Sequence, residues 1–178
     1  TFFIIYVYIT FVALIKYILI MITGKYPNLR LRRSRKNIWS RRLVAENNLS
    51  ASDFILPIFL IEGKNKIQPI QSMPDVFKYS IDKLGKIIDR AIKNKVPMVA
   101  LFPNSSKRLK DNLGSEALNE NNLVCRAIRY IKKRYKNKIG IMCDVALDPY
   151  TSHGHDGILK SGYVLNDETI DILIDQSL

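Results

Sequence analysis

The 178-residue chain predicts an α/β fold built on parallel strands. Three features of the sequence point to it. Short, almost wholly apolar runs recur along residues 50–178. Each is followed, after a polar stretch, by a segment with helical periodicity. The residues before them differ sharply in hydropathy and charge. Apolar strands alternating with amphipathic helices imply a parallel sheet covered by those helices.

Residues 1–24 are set apart by the run Phe2–Ile22, FFIIYVYITFVALIKYILIMI, which only Lys16 interrupts. Its length would cross a bilayer, and the positive charges behind it would favour a cytoplasmic C-terminal side. The alternative function this allows is a membrane-anchored interaction protein with a basic juxtamembrane segment. No small-residue cleavage site follows, which argues against a secretory signal. Two other readings stand beside the anchor: a protein that begins at Met21, and a buried or interface helix.

Residues 25–49 form a basic arm. Lys25, Arg30, Arg32, Arg33, Arg35, Lys36, Arg41 and Arg42 fall there with no acid between them, against a net charge of +12 for the whole chain. Such a run suits nucleic acid, anionic lipid, an acidic protein surface, or simply a solvated docking arm. Pro27 keeps its start extended, and RLVAEN (42–47) predicts a helical turn near its end. The two cysteines, Cys125 and Cys143, make neither a C-x-x-C pair nor a disulfide framework. They read as small core residues in a reducing, cytoplasmic setting.

Ser50-x-x-Asp53 has the pattern of a capping box. Phe54–Ile61 is the first strand, and Glu62–Ser80 reads as a polar loop. Ser80 is positioned to cap a helix over Ile81–Lys95, whose apolar face is Ile81, Leu84, Ile87, Ile88, Ala91 and Ile92. Val96–Phe102 is the second strand, 103–121 a polar loop, and Leu123–Tyr135 the second helix. Lys138–Leu147 is the third strand. A loop and the short run 162–165 follow, and Asn166 caps a last helix over 167–178. Three strand–helix units fit either a doubly wound sheet or the first part of a (β/α)8 barrel. Neither Gly-rich nucleotide motif follows a strand, and a whole barrel needs about 250 residues.

In such sheets the chemistry sits at the carboxyl ends of the strands. The third strand ends in Asp144-Val145-Ala146-Leu147-Asp148, and alternation places Asp144, Ala146 and Asp148 on one side. The loop PYTSHGHDG that follows holds the chain's only two histidines, His153 and His155, and also Asp156. A carboxylate buried there would need a partner or a ligand. The cluster could bind a metal, form a polar wall that moves protons, or be a turn held by its own side chains.

The segment Cys143–Asn166, CDVALDPYTSHGHDGILKSGYVLN, resembles the third-strand motif of the 5-aminolevulinate dehydratases, the porphobilinogen synthases. RLRRSRKNIWSRRLVAEN resembles that family's arm and DFILPIFLIEG its first strand. IQSMPDVFKYSID, VPMVALFP and NLVCRAIRYIK resemble further segments in the family's order, so the likeness covers about Tyr26–Leu178.

The resemblance implies a TIM barrel of which this chain holds about the first three βα units, preceded by an extended arm. It implies homo-oligomers, octamers or hexamers, in which the arm wraps a neighbouring barrel rather than nucleic acid or a membrane. The implied reaction condenses two 5-aminolevulinate molecules into porphobilinogen through two Schiff-base lysines. Those lysines lie on later strands, so residues 1–178 alone are expected to be inactive. Asp144 matches an active-site aspartate. Ala146, Asp148 and Asp156 stand where zinc-holding members carry three cysteines. With no thiolate there, catalytic Zn2+ is not expected. Asp148 and Asp156 become candidate metal positions for a magnesium-responsive, aspartate-type member, with an allosteric Mg2+ site mainly beyond Leu178.

Overall fold

The computed structural model describes Pro27, Leu29 and residues 32–178. Two units divide the chain, Thr1–Asn48 and Leu49–Leu178. The predicted hydrophobic segment Phe2–Ile22 lies outside the described residues, as do Lys25 and Arg30 of the arm. Among the described residues, no helix is long and apolar enough to cross a membrane.

In the first unit a single 3-10 turn, Arg33–Arg35, precedes helix α1, Ile38–Leu43. The helix starts upstream of the turn predicted over RLVAEN and ends within it, at Leu43. Ser40 nucleates it: its Oγ accepts from the Asn37 N–H (3.3 Å) and donates to the Asn37 carbonyl (3.0 Å). Ile38, Trp39 and Leu43 stay exposed, Leu43 at 79%.

The second unit opens with the expected capping box. The Ser50 N–H donates to Asp53 Oδ2 (2.6 Å), and Ser50 Oγ accepts from the Ser52 N–H (3.3 Å). Strand β1, Ile55–Ile61, follows. A hairpin of β2, Ile67–Pro69, and β3, Phe77–Tyr79, comes next, where the sequence predicted only loop. Its period-two signal, Phe77 and Tyr79 around Lys78, is too short to stand out from a loop. Helix α2 spans Leu84–Lys93 behind a 3-10 turn, strand β4 Met98–Asn104, helix α3 Leu123–Tyr135 and strand β5 Gly140–Cys143. Hairpin β6–β7, Ile158–Lys160 and Tyr163–Leu165, leads into helix α4, Asn166–Ser177.

The sheet order is β2-β3-β1-β4-β5, with only β2–β3 antiparallel. The expected parallel α/β sheet is therefore present. β1 and β4 pair along their whole length, from Ile55↔Met98 to Ile61↔Asn104. Register sorts the side chains by face. Ile58, Leu60, Val99 and Leu101 are sealed against Leu84, Ile88 and Ala91 of α2 and Val124, Ala127 and Ile131 of α3. On the other face Phe59 meets Phe102, ring centroids 5.7 Å apart.

Two capping expectations change. Ser80 is fully buried but does not cap its helix. Its hydroxyl accepts from the Lys66 N–H (2.9 Å) and donates to Asp82 (2.7 Å), tying the hairpin to the helix start. Asn166 does not cap α4 either. Thr169 Oγ1 instead donates to the Leu165 carbonyl (2.5 Å) and accepts from the Ile158 N–H (2.9 Å). The α3 cap, by contrast, comes from Asn122, which accepts from the Cys125 N–H (2.9 Å).

The third strand is shorter than the predicted Lys138–Leu147. The Ala146 carbonyl accepts from Gln176 of α4 (3.2 Å), and the Leu147 N–H donates to Asp156 (2.6 Å). Those backbone groups are committed to the loop and cannot serve a ladder.

Ile88 has no exposed surface and lies between α2, α3 and the sheet. Its truncation to alanine leaves a cavity that close packing cannot refill. Ile88→Ala should cost about 2–5 kcal/mol of unfolding free energy. Urea denaturation checks this, and a loss under about 1 kcal/mol would contradict the packing described.

Candidate active site

Because β1, β4 and β5 run parallel, their carboxyl ends lie along one edge of the sheet. A cavity of about 410 Å³ opens there. Phe59 and Phe102 form its apolar floor. Around them stand Lys78, Asn104, Lys110, Asp144, Asp148 and Tyr150, with Ala146 at the wall. Asp144, Ala146 and Asp148 thus border one space, as the sequence predicted. Only Asp144 directly follows the strand, and a loop carries the other two. A second cavity, about 310 Å³, is lined mainly by apolar side chains such as Leu56, Pro57, Val76, Phe77 and Ile87. It lacks the convergent set of carboxylates and ammonium groups that makes the first a candidate for chemistry.

Leu147 organises the loop. Its buried side chain anchors a small cluster with Ala117, Tyr150 and Ile158. Its carbonyl accepts from the N–H groups of Tyr150 (2.8 Å) and Thr151 (2.9 Å). Its own N–H donates to Asp156 Oδ1 (2.6 Å), which closes residues 147–156 into a ring. Thr151, also buried, donates to the His155 carbonyl (2.8 Å) inside that ring. Gly157 ends it in a tight space, where an added Cβ would lie 2.6 Å from Val164 and 2.9 Å from Thr169 Oγ1.

The histidines do not border the cavity. His153 Nδ1 accepts from the His155 N–H (3.1 Å), and its Nε2 lies 3.3 Å from the Asn112 carbonyl. One neutral tautomer, protonated at Nε2, satisfies both contacts. Among the described residues, no three His, Cys, Asp or Glu side chains form a group able to hold a metal ion. Asp156 spends one oxygen on the Leu147 N–H, and its other oxygen is the atom that could ligate a metal. Cys125 and Cys143 are half-buried free thiols. Burial pushes Cys143 up to about 11, so it is a thiol rather than a metal-ready thiolate at neutral pH.

Burial also raises the Asp148 carboxyl above its ordinary range. The carboxylates of Asp156 and Asp144 push it the same way, and Lys110 opposes them. The sequence points to the carboxylates but not to Lys78, Asn104, Lys110 or Tyr150 as lining residues. Asn104 is where β4 ends, and Lys78 shares a face with Phe59 through the β1–β3 register. Lys78 Nζ donates to Asn104 Oδ1 (3.2 Å). The three-residue alternation in FKY is too short to disclose Lys78. Lys110 stands in a loop whose placement only the tertiary fold decides.

A parallel sheet backed by helices, with a cavity of carboxylates and ammonium groups at its carboxyl edge, is the arrangement in which α/β domains carry their sites. The family model of Delta-aminolevulinic acid dehydratase matches residues 28–178, and the chain belongs to that family. It is 52% identical over 150 residues to the delta-aminolevulinic acid dehydratase of Bradyrhizobium diazoefficiens, covering 84% of this chain and 42% of that one. It is 42% identical over 144 residues to that of Ruminiclostridium josui, covering 81% and 69%. Among solved structures it resembles the enzyme of Toxoplasma gondii in complex with the reaction product porphobilinogen. That match has a TM-score of 0.74 and 37% identity, and covers 84% of this chain and 42% of that one. The chain spans less than half the length of several relatives it matches.

Asp148 yields a stability prediction. A carboxyl raised in the folded state favours folding below its ordinary value, about 3.9. That contribution is lost as pH rises through the raised value. Asp148→Asn removes the charge and should raise the melting temperature near neutral pH. The gain should shrink on acidification and vanish below about pH 4. Calorimetry across pH checks this, and a gain that is the same at every pH would contradict it.

Proposed function

We propose that this chain supplies one wall of the active site of a porphobilinogen synthase that condenses two 5-aminolevulinate molecules into porphobilinogen. The observation that carries this reading is Asp144 at the carboxyl end of β5, bordering the cavity with Asp148 and the ammonium groups of Lys78 and Lys110. In this reading the Asp144 carboxylate meets the substrate amine and takes or returns its proton. The Phe59–Phe102 floor shields the reacting carbons from water. The Schiff-base lysines that the resemblance implies stand on later strands of a TIM barrel, of which β1, β4 and β5 are the first three.

The donor set speaks against a tightly held catalytic zinc. Ala146 offers no ligand atom, Asp148 and Asp156 offer carboxylate oxygen, and Cys143 lies in the sheet with a raised pKa. Oxygen donors of this kind suit Mg2+, and we assign Asp148 and Asp156 as the positions that would hold it if a metal binds on this wall. When bound it would supply positive charge beside the substrate. We place the magnesium-responsive allosteric site in the part of the barrel beyond Leu178. The arm is read as a subunit-docking element of a homo-oligomer, supported by the exposed Ile38, Trp39 and Leu43 of α1. A cytoplasmic setting is in keeping with two free cysteines.

Replacing the matching segment of the Bradyrhizobium diazoefficiens relative with residues 28–178 of this chain tests the reading. The chimera should form porphobilinogen from 5-aminolevulinate, and Asp144→Asn should lower kcat by about 10²–10⁴-fold. A folded chimera with no activity, or one indifferent to Asp144→Asn, would refute the proposal. A second measurement tests the metal class. Treatment with a zinc-selective chelator should leave the chimera's turnover unchanged, and loss of activity restored by Zn2+ would overturn the assignment.

A further inference from the structure

The loop between β4 and α3 is fastened to the site loop along one short tripeptide, Lys110-Asp111-Asn112. Asp111 makes an isolated parallel bridge with Thr151. Its N–H donates to the Tyr150 carbonyl (3.3 Å), and its carbonyl accepts from the Ser152 N–H (2.8 Å). Ser152 Oγ donates to Asn112 Oδ1 (2.5 Å). The Asp111 carboxylate accepts from the N–H groups of Ser115 and Leu113, each at 3.0 Å, which stiffens the tripeptide from its own side.

Lys110 is the member of this clasp that reaches the cavity. Lys107, Arg108 and Leu109 before it are exposed, yet Lys110 is half-buried. Its Nζ donates to the Asp148 carbonyl (3.3 Å), and the same ammonium borders the cavity beside Asp144 and Asp148. A solvated lysine would gain little from giving up its hydration and rotamer freedom for one carbonyl. Here the ammonium also borders the cavity that Asp144 and Asp148 line, so attraction to their opposite charge adds to that one hydrogen bond.

We infer that Lys110 is a positioning residue of the active site, holding the Asp148 turn against β5 and setting the placement of the carboxylates that meet the substrate. It acts through Asp144 and Asp148 and makes no bond to substrate. The inference rests on the function proposed above for its catalytic consequence, but the positioning itself is a property of this chain.

Two measurements test it separately. In the 178-residue chain, Lys110→Met keeps most of the aliphatic stem and removes the ammonium. Amide hydrogen exchange over residues 144–152 should become at least about fivefold faster, by the lost restraint on local opening. Exchange in β1 and β4 should stay unchanged, and Lys110→Arg should retain the protection. Unchanged exchange over 144–152 in Lys110→Met would overturn the inference, as would equal loosening of the whole sheet.

In the chimera, Lys110→Met should lower kcat by at least about tenfold with KM within about threefold, the pattern of an interaction realised in the transition state. Lys110→Arg should restore most of it. A kcat equal to that of the unsubstituted chimera would refute the catalytic part. If the unsubstituted chimera makes no porphobilinogen while the exchange result holds, the proposed function fails and the clasp stands.

Discussion

The seven-residue parallel pairing of β1 with β4, extended by β5, is the constraint on which the rest depends. It fixes which side chains enter the core and which face the other way. It also brings Asn104 and Asp144, distant in sequence, to the same edge. Phe59 and Phe102 face each other because their positions are in register. A one-residue slip would send Phe102 into the helix-covered core and Leu101 out of it. Ile88, Leu84 and Ile131 resist that slip because their buried surface is complementary to Ile58, Leu60 and Leu101.

The loop after β5 obtains its shape from backbone satisfaction. Leu147 commits its N–H to Asp156 and its carbonyl to Tyr150 and Thr151. Position 156 supplies the acceptor for that N–H. A carboxylate there closes the ring by accepting a hydrogen bond, a role open to it without any metal. The same bond shortens β5 and turns the chain so that Asp148 reaches the cavity Asp144 already borders. The clasp at Lys110-Asp111-Asn112 then braces this loop from the β4 side.

Much of this was legible in the sequence. The three apolar runs, the faces of α2 and α3 and the Ser50–Asp53 box follow from periodicity and local side-chain chemistry, which act over a few residues. The Asp144–Gly157 motif was legible through its density of polar residues after an apolar strand, and through family likeness. What escaped depends on contacts between distant segments. Hairpin β2–β3 exists because Phe77–Tyr79 finds β1. Ser80 has a capping residue's position, but Lys66 and Asp82 claim its hydroxyl. Asn166 has a capping residue's position too, but α4 starts without a side-chain cap, and the Thr169 hydroxyl ties its first turn to the hairpin. Lys110 looks like any loop lysine until the fold sets it beside Asp148.

The placement of Asp144 as the substrate-facing carboxylate is the centre of the functional reading. A crystal structure of the chimera soaked with porphobilinogen tests it most directly. The product's amine should lie within hydrogen-bond distance of the Asp144 carboxylate, about 2.7–3.2 Å, over the Phe59–Phe102 floor. Product seated elsewhere, with Asp144 turned from it, would contradict the reading.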